Sequence, residues 1–225
     1  MLNSEIINQI ISGNKQFVEH HGEEYFRTYS QKQTPFVTLV SCSDSRVPIN
    51  AILPDTVNKI FSIQNIGNQI LSSQGSIDYG IFHLKTPVLM ILGHSDCGAI
   101  KSYLKGFEDE SYNIRQELDF LNFSIAITDI AKEIKDNISI VIERNIDYQV
   151  NIAYKKYRDL IKLNKLTVIG AFYDFTNDFG KGSGRVIIVN VNKNKQKEDI
   201  FSLPLFESIS EENKEIFIGR LSDTK

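Results

Sequence analysis

The sequence predicts an α/β domain with a mainly parallel central sheet, flanked by helices and carrying an antiparallel edge strand. Continuous apolar runs at 36–40 and 87–92 are typical of strands that are buried on both faces. Helical patterns separate such runs along the chain, which is the order of elements in parallel α/β proteins. Two late apolar runs, joined by a loop with three glycines, predict a hairpin that adds the edge strand.

The elements follow from these patterns in chain order. Residues 3–19 predict an amphipathic helix because isoleucines recur at helical spacing, and Asn3 or Ser4 is expected to cap it. Further helical pattern covers 74–84 and most of 100–164. The predicted strands are the apolar runs at 36–40, 57–63, 87–92, 166–172 and 186–191.

The chain is expected to form one catalytic domain, residues 34–225, after an N-terminal helical arm, residues 1–33. No repeat, low-complexity tract or linker interrupts the domain. The arm precedes the first strand, and its apolar face needs burial. Docking onto a partner subunit and packing against its own domain are both open at this point.

Composition excludes some classes of function. The 225 residues are 41% hydrophobic and 24% charged, which is ordinary for a globular protein. A formal net charge of −3 gives no general attraction to nucleic acid or to anionic membranes. The N-terminus lacks the basic and apolar regions of a secretory signal, and no apolar stretch approaches the roughly 20 residues of a membrane span. We therefore expect a cytosolic protein.

The two cysteines fall at informative positions. Cys42 follows the first predicted strand, His94 follows the apolar run at 87–92, and Cys97 comes three residues later, where a helix is expected to begin. A reducing cytosol disfavours a disulfide between them. Because ligand sites form outside the carboxyl ends of parallel strands, the three side chains are expected to converge there if the strands are neighbours.

These residue types suit zinc. Two thiolates and one imidazole leave a fourth tetrahedral position for water or substrate, as catalytic zinc sites do. A thiol at a helix N-terminus also ionises more easily. The spacing H-x-x-C alone does not exclude a structural histidine and two buried, inert thiols.

A carboxylate and a guanidinium lie beside the first cysteine. Asp44 and Arg46 are two residues apart, so they can pair while Asp44 faces the metal. A carboxylate held by a guanidinium stays ionised and can accept a hydrogen bond from metal-bound water. The alternative is a surface ion pair, which contributes little.

The sequence C-S-D-S-R at 42–46, followed about 50 residues later by G-H-S-D-C-G-A at 93–99, resembles the paired signature of bacterial β-class carbonic anhydrases. The resemblance extends from about residue 5 to residue 192. Other positions that match the family are 13–17, 33–35, 65–68, Asn145, Gln149, Val150, Gly170, Tyr173 and Asp174.

The resemblance implies reversible hydration of carbon dioxide to bicarbonate and a proton, through attack by a zinc-bound hydroxide. It implies one zinc ion per subunit, held by Cys42, His94 and Cys97. It assigns Asp44 and Arg46 as the catalytic dyad that orients the nucleophile.

The same resemblance implies a substrate cleft and an oligomer. Gln33, Phe61 and Tyr79 are expected to line the cleft, and the Gly98 amide to lie close to the bound anion. In this family such residues commonly come from the neighbouring subunit, which implies a homodimer or a tetramer.

One departure from the family concerns regulation. Some bacterial members hold an inhibitory bicarbonate with a tryptophan and an arginine at the positions of Leu39 and Gln64. We therefore predict that this inhibition is absent here, unless the surroundings of Gln64 have adjusted. Two other functions stay open: a zinc lyase for carbon disulfide or carbonyl sulfide, and a non-catalytic zinc or bicarbonate-sensing protein. Thiol redox chemistry is disfavoured because the chain has no Cys-x-x-Cys pair. Whether Asp44 closes the metal site at low pH, as in some members of the family, also stays open.

Overall fold

A computed structural model describes residues 2–125 and 137–221, in two units that comprise residues 1–34 and 35–225. The first unit contains one long helix, α1 (Asn3–Tyr29), which is kinked at Gly22, where φ is +69°. Leu2 occupies the cap position, so the prediction of Asn3 or Ser4 as the cap was wrong. The Glu5 carboxylate accepts a hydrogen bond from the Leu2 amide at 2.8 Å, and this bond fixes the start of the helix one residue earlier.

The second unit is built on a five-stranded sheet with the order β2-β1-β3-β4-β5. The pairs β2–β1, β1–β3 and β3–β4 are parallel, and β4–β5 is antiparallel. This topology confirms the predicted fold class. The strands are β1 (Val37–Cys42), β2 (Ile60–Asn65), β3 (Val88–His94), β4 (Thr167–Asp174) and β5 (Arg185–Val191).

Burial explains why the strands could be recognised and where their bounds differ from the prediction. All six residues of β1 are buried, as expected for a strand that is covered on both faces. β1 extends to Cys42 and β3 to His94, so both residues belong to the strands rather than to the loops behind them. β2 begins at Ile60 because a turn precedes it, with Asn58 in the left-handed region.

The predicted helical segment 74–84 divides into α2 (Gln74–Asp78) and a π-helical turn at Tyr79–His83. The segment 100–164 is not one continuous helix, because Gly106 adopts φ +97° and ends α3. Residues 126–136 of that segment lie outside the described residues. The helices here are α3 (Gly98–Lys105), α4 (Tyr112–Asp119), α5 (Asn122–Ile125) and α6 (Ile138–Lys162).

The C-terminal segment covers part of the edge of β5. It contains α7 (Lys197–Phe201) and α8 (Glu211–Phe217), neither of which was predicted. Ile218 forms a parallel bridge with Ile188, and the Gly219 amide donates to the Ile188 carbonyl at 3.2 Å. Among the helices of residues 2–125 and 137–221, none has the length and apolar composition to cross a membrane.

Helix α6 packs directly on β4, and Gly170 allows this close approach. A Cβ added at Gly170 would lie 2.7 Å from a methyl group of Ile146 and 2.8 Å from one of Val150. Both neighbours are β-branched and therefore cannot easily turn away. The glycine is thus required by packing between the helix and the sheet.

We expect Gly170→Ala to lower the free energy of unfolding by about 1–3 kcal/mol, because the extra methyl group overpacks this contact. Urea titration followed by circular dichroism measures the change. Gly75→Ala in α2 is the matched control, since a Cβ there meets no atom within 4 Å. Equal stability of the two variants would contradict this packing argument.

Candidate active site

The two cysteines and one histidine meet at the carboxyl edge of the sheet. Cys42 is the last residue of β1, and His94 is the last residue of the adjacent parallel strand β3. Cys97 occupies the cap position of α3. The three ligand atoms lie within 4.8 Å of one another, and all three residues are buried. The convergence expected from the strand ends is therefore observed.

The hydrogen bonds of His94 leave one ring nitrogen free for a metal. Nδ1 lies 2.8 Å from the Ser95 carbonyl oxygen, which can only accept, so Nδ1 carries the proton. Nε2 then has a lone pair, and it is buried without a hydrogen-bond partner among the described residues. An unsatisfied buried nitrogen is costly unless something binds it. This nitrogen and the two sulfurs are donors that zinc prefers.

The two thiols are electrostatically coupled. The pKa of Cys42 is lowered to about 4, mainly by the hydrogen bond that it receives from the Cys97 thiol, although burial opposes this effect. The pKa of Cys97 is raised well above its ordinary value, because its proton is held in that bond and the group is buried. The Gly67 amide also donates to Cys42, and the Ala99 and Ile100 amides donate to Cys97. The pair therefore offers one thiolate, and a cation that binds both sulfurs would displace the second proton.

Asp44 and Arg46 form the ion pair that their spacing predicted. Asp44 Oδ1 accepts from the Arg46 amide and from Nε, both at 2.9 Å, and Oδ2 accepts from Nη2 at 2.7 Å. These bonds hold the pKa of Asp44 well below its usual range, against the opposing effect of partial burial. Asp44 Oδ2 lies 3.9 Å from His94 Nε2, so the carboxylate and the free nitrogen face the same space.

Two further residues contact Arg46, and neither was predicted from the sequence as a site residue. Asp96 Oδ2 accepts from Arg46 Nη1 at 3.1 Å, and the Asp96 carbonyl accepts from Nη2 at 3.1 Å. The Phe175 ring centroid lies 5.0 Å from the Arg46 guanidinium carbon. The sequence position of Asp96, between the candidate ligands His94 and Cys97, could have indicated it as a site residue. Phe175 reaches the site only because β4 pairs with β3.

The residues expected to line a substrate cleft are found in three places. Phe61 on the edge strand β2 contacts Tyr79, with ring centroids 5.7 Å apart. Gly98 is the first residue of α3, and a Cβ there would meet no atom within 4 Å, so the space beside its Cα is open. Gln33 is exposed and belongs to the first unit. The structure therefore brings the five candidate metal and dyad residues together. The roles of Gln33, Phe61, Tyr79 and Gly98 in substrate binding stay predictions.

The fold and the sequence are similar to those of known proteins. The β-carbonic anhydrase CcaA superposes with a TM-score of 0.69 at 22% identity, over 83% of this chain and 87% of that one. A β-carbonic anhydrase from Coccomyxa gives a TM-score of 0.70 at 20% identity, over 86% and 90%. The family model described as carbonic anhydrase matches residues 37–181, which contain Cys42, Asp44, Arg46, His94 and Cys97. The chain belongs to the β-carbonic anhydrase family.

Curated carbonic anhydrases agree with this assignment. One from Helicobacter pylori is 37% identical over 102 residues, which are 40% of this chain and 46% of the relative. One from Candida albicans is 28% identical over 189 residues, which are 77% of this chain and 66% of the relative. The first three curated relatives are matched over only 37%, 46% and 50% of their own lengths.

Proposed function

We propose that this protein interconverts carbon dioxide and bicarbonate with one zinc ion per subunit, held by Cys42, His94 and Cys97. The observation that carries the proposal is the Nε2 of buried His94, which has no hydrogen-bond partner in the part of the chain that the structure describes and faces two cysteine sulfurs and a carboxylate that stays ionised. A purely structural zinc site would have four protein ligands with no open position, and it would not need such a carboxylate. Both thiols must stay reduced, which fits the cytosolic location expected from the sequence.

Zinc held there would supply Lewis acidity, which lowers the pKa of water so that a nucleophile forms near neutral pH. Asp44, as an ionised acceptor, orients the attacking water by accepting its hydrogen bond, which leaves a lone pair directed at the substrate. Arg46 keeps Asp44 from taking up the proton itself, because the guanidinium stabilises the carboxylate. Both Asp44 oxygens bond to Arg46, which favours the form in which Asp44 does not close the metal site.

The substrate is small, linear and apolar, and its product is an anion. An aromatic pair such as Phe61 and Tyr79 suits carbon dioxide, because it offers apolar surface without competing ligands. The Gly98 amide is at the N-terminus of α3, where a free N–H group can donate to a bicarbonate oxygen. Gln33 is proposed to contribute a polar contact from the arm.

We further propose that the active molecule is a homodimer or larger, in which the arm of residues 1–33 docks onto a partner subunit. Its apolar side chains are exposed in one chain, with Ile10 at 65% and Ile11 at 62%. Exposed isoleucines along one helix are typical of an interface. Two β-carbonic anhydrases from Sordaria macrospora with a similar fold are described as tetrameric, which is consistent with oligomerisation.

Stopped-flow hydration of carbon dioxide on protein of known zinc content tests the proposed reaction. We expect kcat/KM of about 10⁶ M⁻¹s⁻¹ or more, within the range of efficient enzymes. Hydrolysis of carbonyl sulfide and carbon disulfide is measured on the same preparation. Turnover of these two substrates without hydration of carbon dioxide would overturn the proposal, as would a fully zinc-loaded protein with no activity at all.

A further inference from the structure

The Phe175 ring contacts both the candidate metal ligands, through His94, and the catalytic dyad, through Arg46. Its ring is stacked on the His94 imidazole, with centroids 6.0 Å apart and an angle of 24° between the planes. The centroid of the same ring lies 5.0 Å from the Arg46 guanidinium carbon. The ring therefore contacts His94, a candidate metal ligand, and Arg46, the arginine of the dyad, at the same time.

Ser95 fixes the backbone of Phe175 and the orientation of His94 together. The Ser95 hydroxyl oxygen accepts from the Phe175 amide at 3.1 Å and from the Thr176 amide at 3.4 Å. The Ser95 carbonyl accepts the His94 Nδ1 proton at 2.8 Å. A displacement of the loop after β4 would therefore act on the imidazole through the same residue.

The Asp174 carboxylate accepts hydrogen bonds from Ser95 and from the loop that follows β4. It is fully buried, and its Oδ1 accepts from the Ser95 hydroxyl at 3.2 Å and from the Asp178 amide at 2.8 Å. Its Oδ2 accepts from the Phe179 amide at 3.0 Å. The hydrogen bonds of one buried carboxylate thus hold the turn that presents Phe175.

Arg46 needs such support because 47% of its side chain is exposed. Asp44 and Asp96 bind the edges of the guanidinium, but hydrogen bonds in its plane do not stop it from tilting. The Arg46 guanidinium carbon lies over the Phe175 ring, and an arginine over an aromatic face is a favourable cation–π pair. Phe175 therefore adds to Arg46 a contact of a kind that the two carboxylates do not supply.

We propose that Phe175 is a positioning residue, which holds the Arg46 guanidinium against Asp44 and the His94 ring in its metal-binding orientation. This inference rests on the proposed function, since both contacts matter through zinc and the dyad. The effect of the ring is transmitted through Arg46 and His94.

The test compares Phe175→Leu, which removes the ring face, with Phe175→Tyr, which keeps it. Phe201→Leu is the matched control, because Phe201 is also half-buried and lies beneath Lys197 and Lys214 in the C-terminal segment. For each variant, kcat and KM for carbon dioxide are measured, together with the thermal midpoint. The visible absorption of the cobalt(II)-substituted protein reports the geometry at the ligands without relying on turnover.

We expect Phe175→Leu to lower kcat about three- to tenfold with little change in KM, and to shift the cobalt(II) absorption bands. Phe175→Tyr recovers most of the loss, and Phe201→Leu changes neither kcat nor the spectrum. Wild-type kcat and spectrum in Phe175→Leu would overturn the inference, as would an equal loss in Phe201→Leu. If the wild type does not hydrate carbon dioxide, the proposed function fails, and the cobalt(II) spectra still decide whether Phe175 positions His94.

Discussion

Replacing Cys97 by alanine is expected to remove both zinc and activity. The variant loses one of three candidate ligands, the sulfur that the amides at the start of α3 stabilise, so the remaining Cys42 and His94 cannot retain the metal. We expect zinc content well below one per subunit and a fall in kcat/KM of at least about 10⁴-fold. Elemental analysis and stopped-flow hydration, made on the same sample, measure the two quantities.

Ser124→Ala is a suitable control for this experiment. Ser124 is also buried, and among residues 2–125 and 137–221 its hydroxyl donates to the Leu121 carbonyl of the neighbouring turn, at 3.0 Å. The control is expected to keep full zinc and full activity. A Cys97→Ala protein with one zinc per subunit and wild-type turnover would contradict the ligand assignment.

Asp44→Asn is expected to lower kcat about 10²- to 10³-fold while zinc content stays at the wild-type level. The amide has almost the same shape, but it is neutral and presents a donor where the carboxylate presents an acceptor. It therefore cannot orient the attacking water, and the strong pairing with Arg46 is lost. Stopped-flow rates at saturating carbon dioxide, with zinc measured in parallel, check both parts of this expectation.

Asp55→Asn is the control for the loss of a paired carboxylate. Asp55 binds Lys59 at 2.9 Å on the surface, and we expect its removal to leave kcat unchanged. If Asp44→Asn lost zinc together with activity, Asp44 would be acting as a metal ligand, and its proposed role beside Arg46 would be wrong.

Much of the sheet could be predicted because its strands are buried on both faces. Such strands are continuously apolar, as in β1 and β3, and a pattern of this kind is visible without any knowledge of partners. The C-terminal helices α7 and α8 carried no comparable signal. They are short, and Ile218, the residue after α8, is buried in a cluster with Val191 on β5 and Ile200 on α7. Their structure depends on contacts that a local pattern does not contain.

The candidate metal residues were predictable for a related reason. Strand ends in a parallel sheet converge, so Cys42 and His94 could be placed together once β1 and β3 were recognised as strands. Phe175 was not predicted, since an arginine–ring contact across the sheet has no characteristic spacing in the sequence. Gln33 stays a prediction, because its proposed role involves a second subunit.

Removal and restoration of zinc test the central proposal most directly. The protein is stripped with a chelator, and zinc is returned in measured steps while hydration of carbon dioxide is followed by stopped flow. We predict that the stripped protein is inactive and that activity rises in proportion to zinc until one ion per subunit is bound. Undiminished hydration by the zinc-free protein would contradict the proposed metal site and the proposed reaction together.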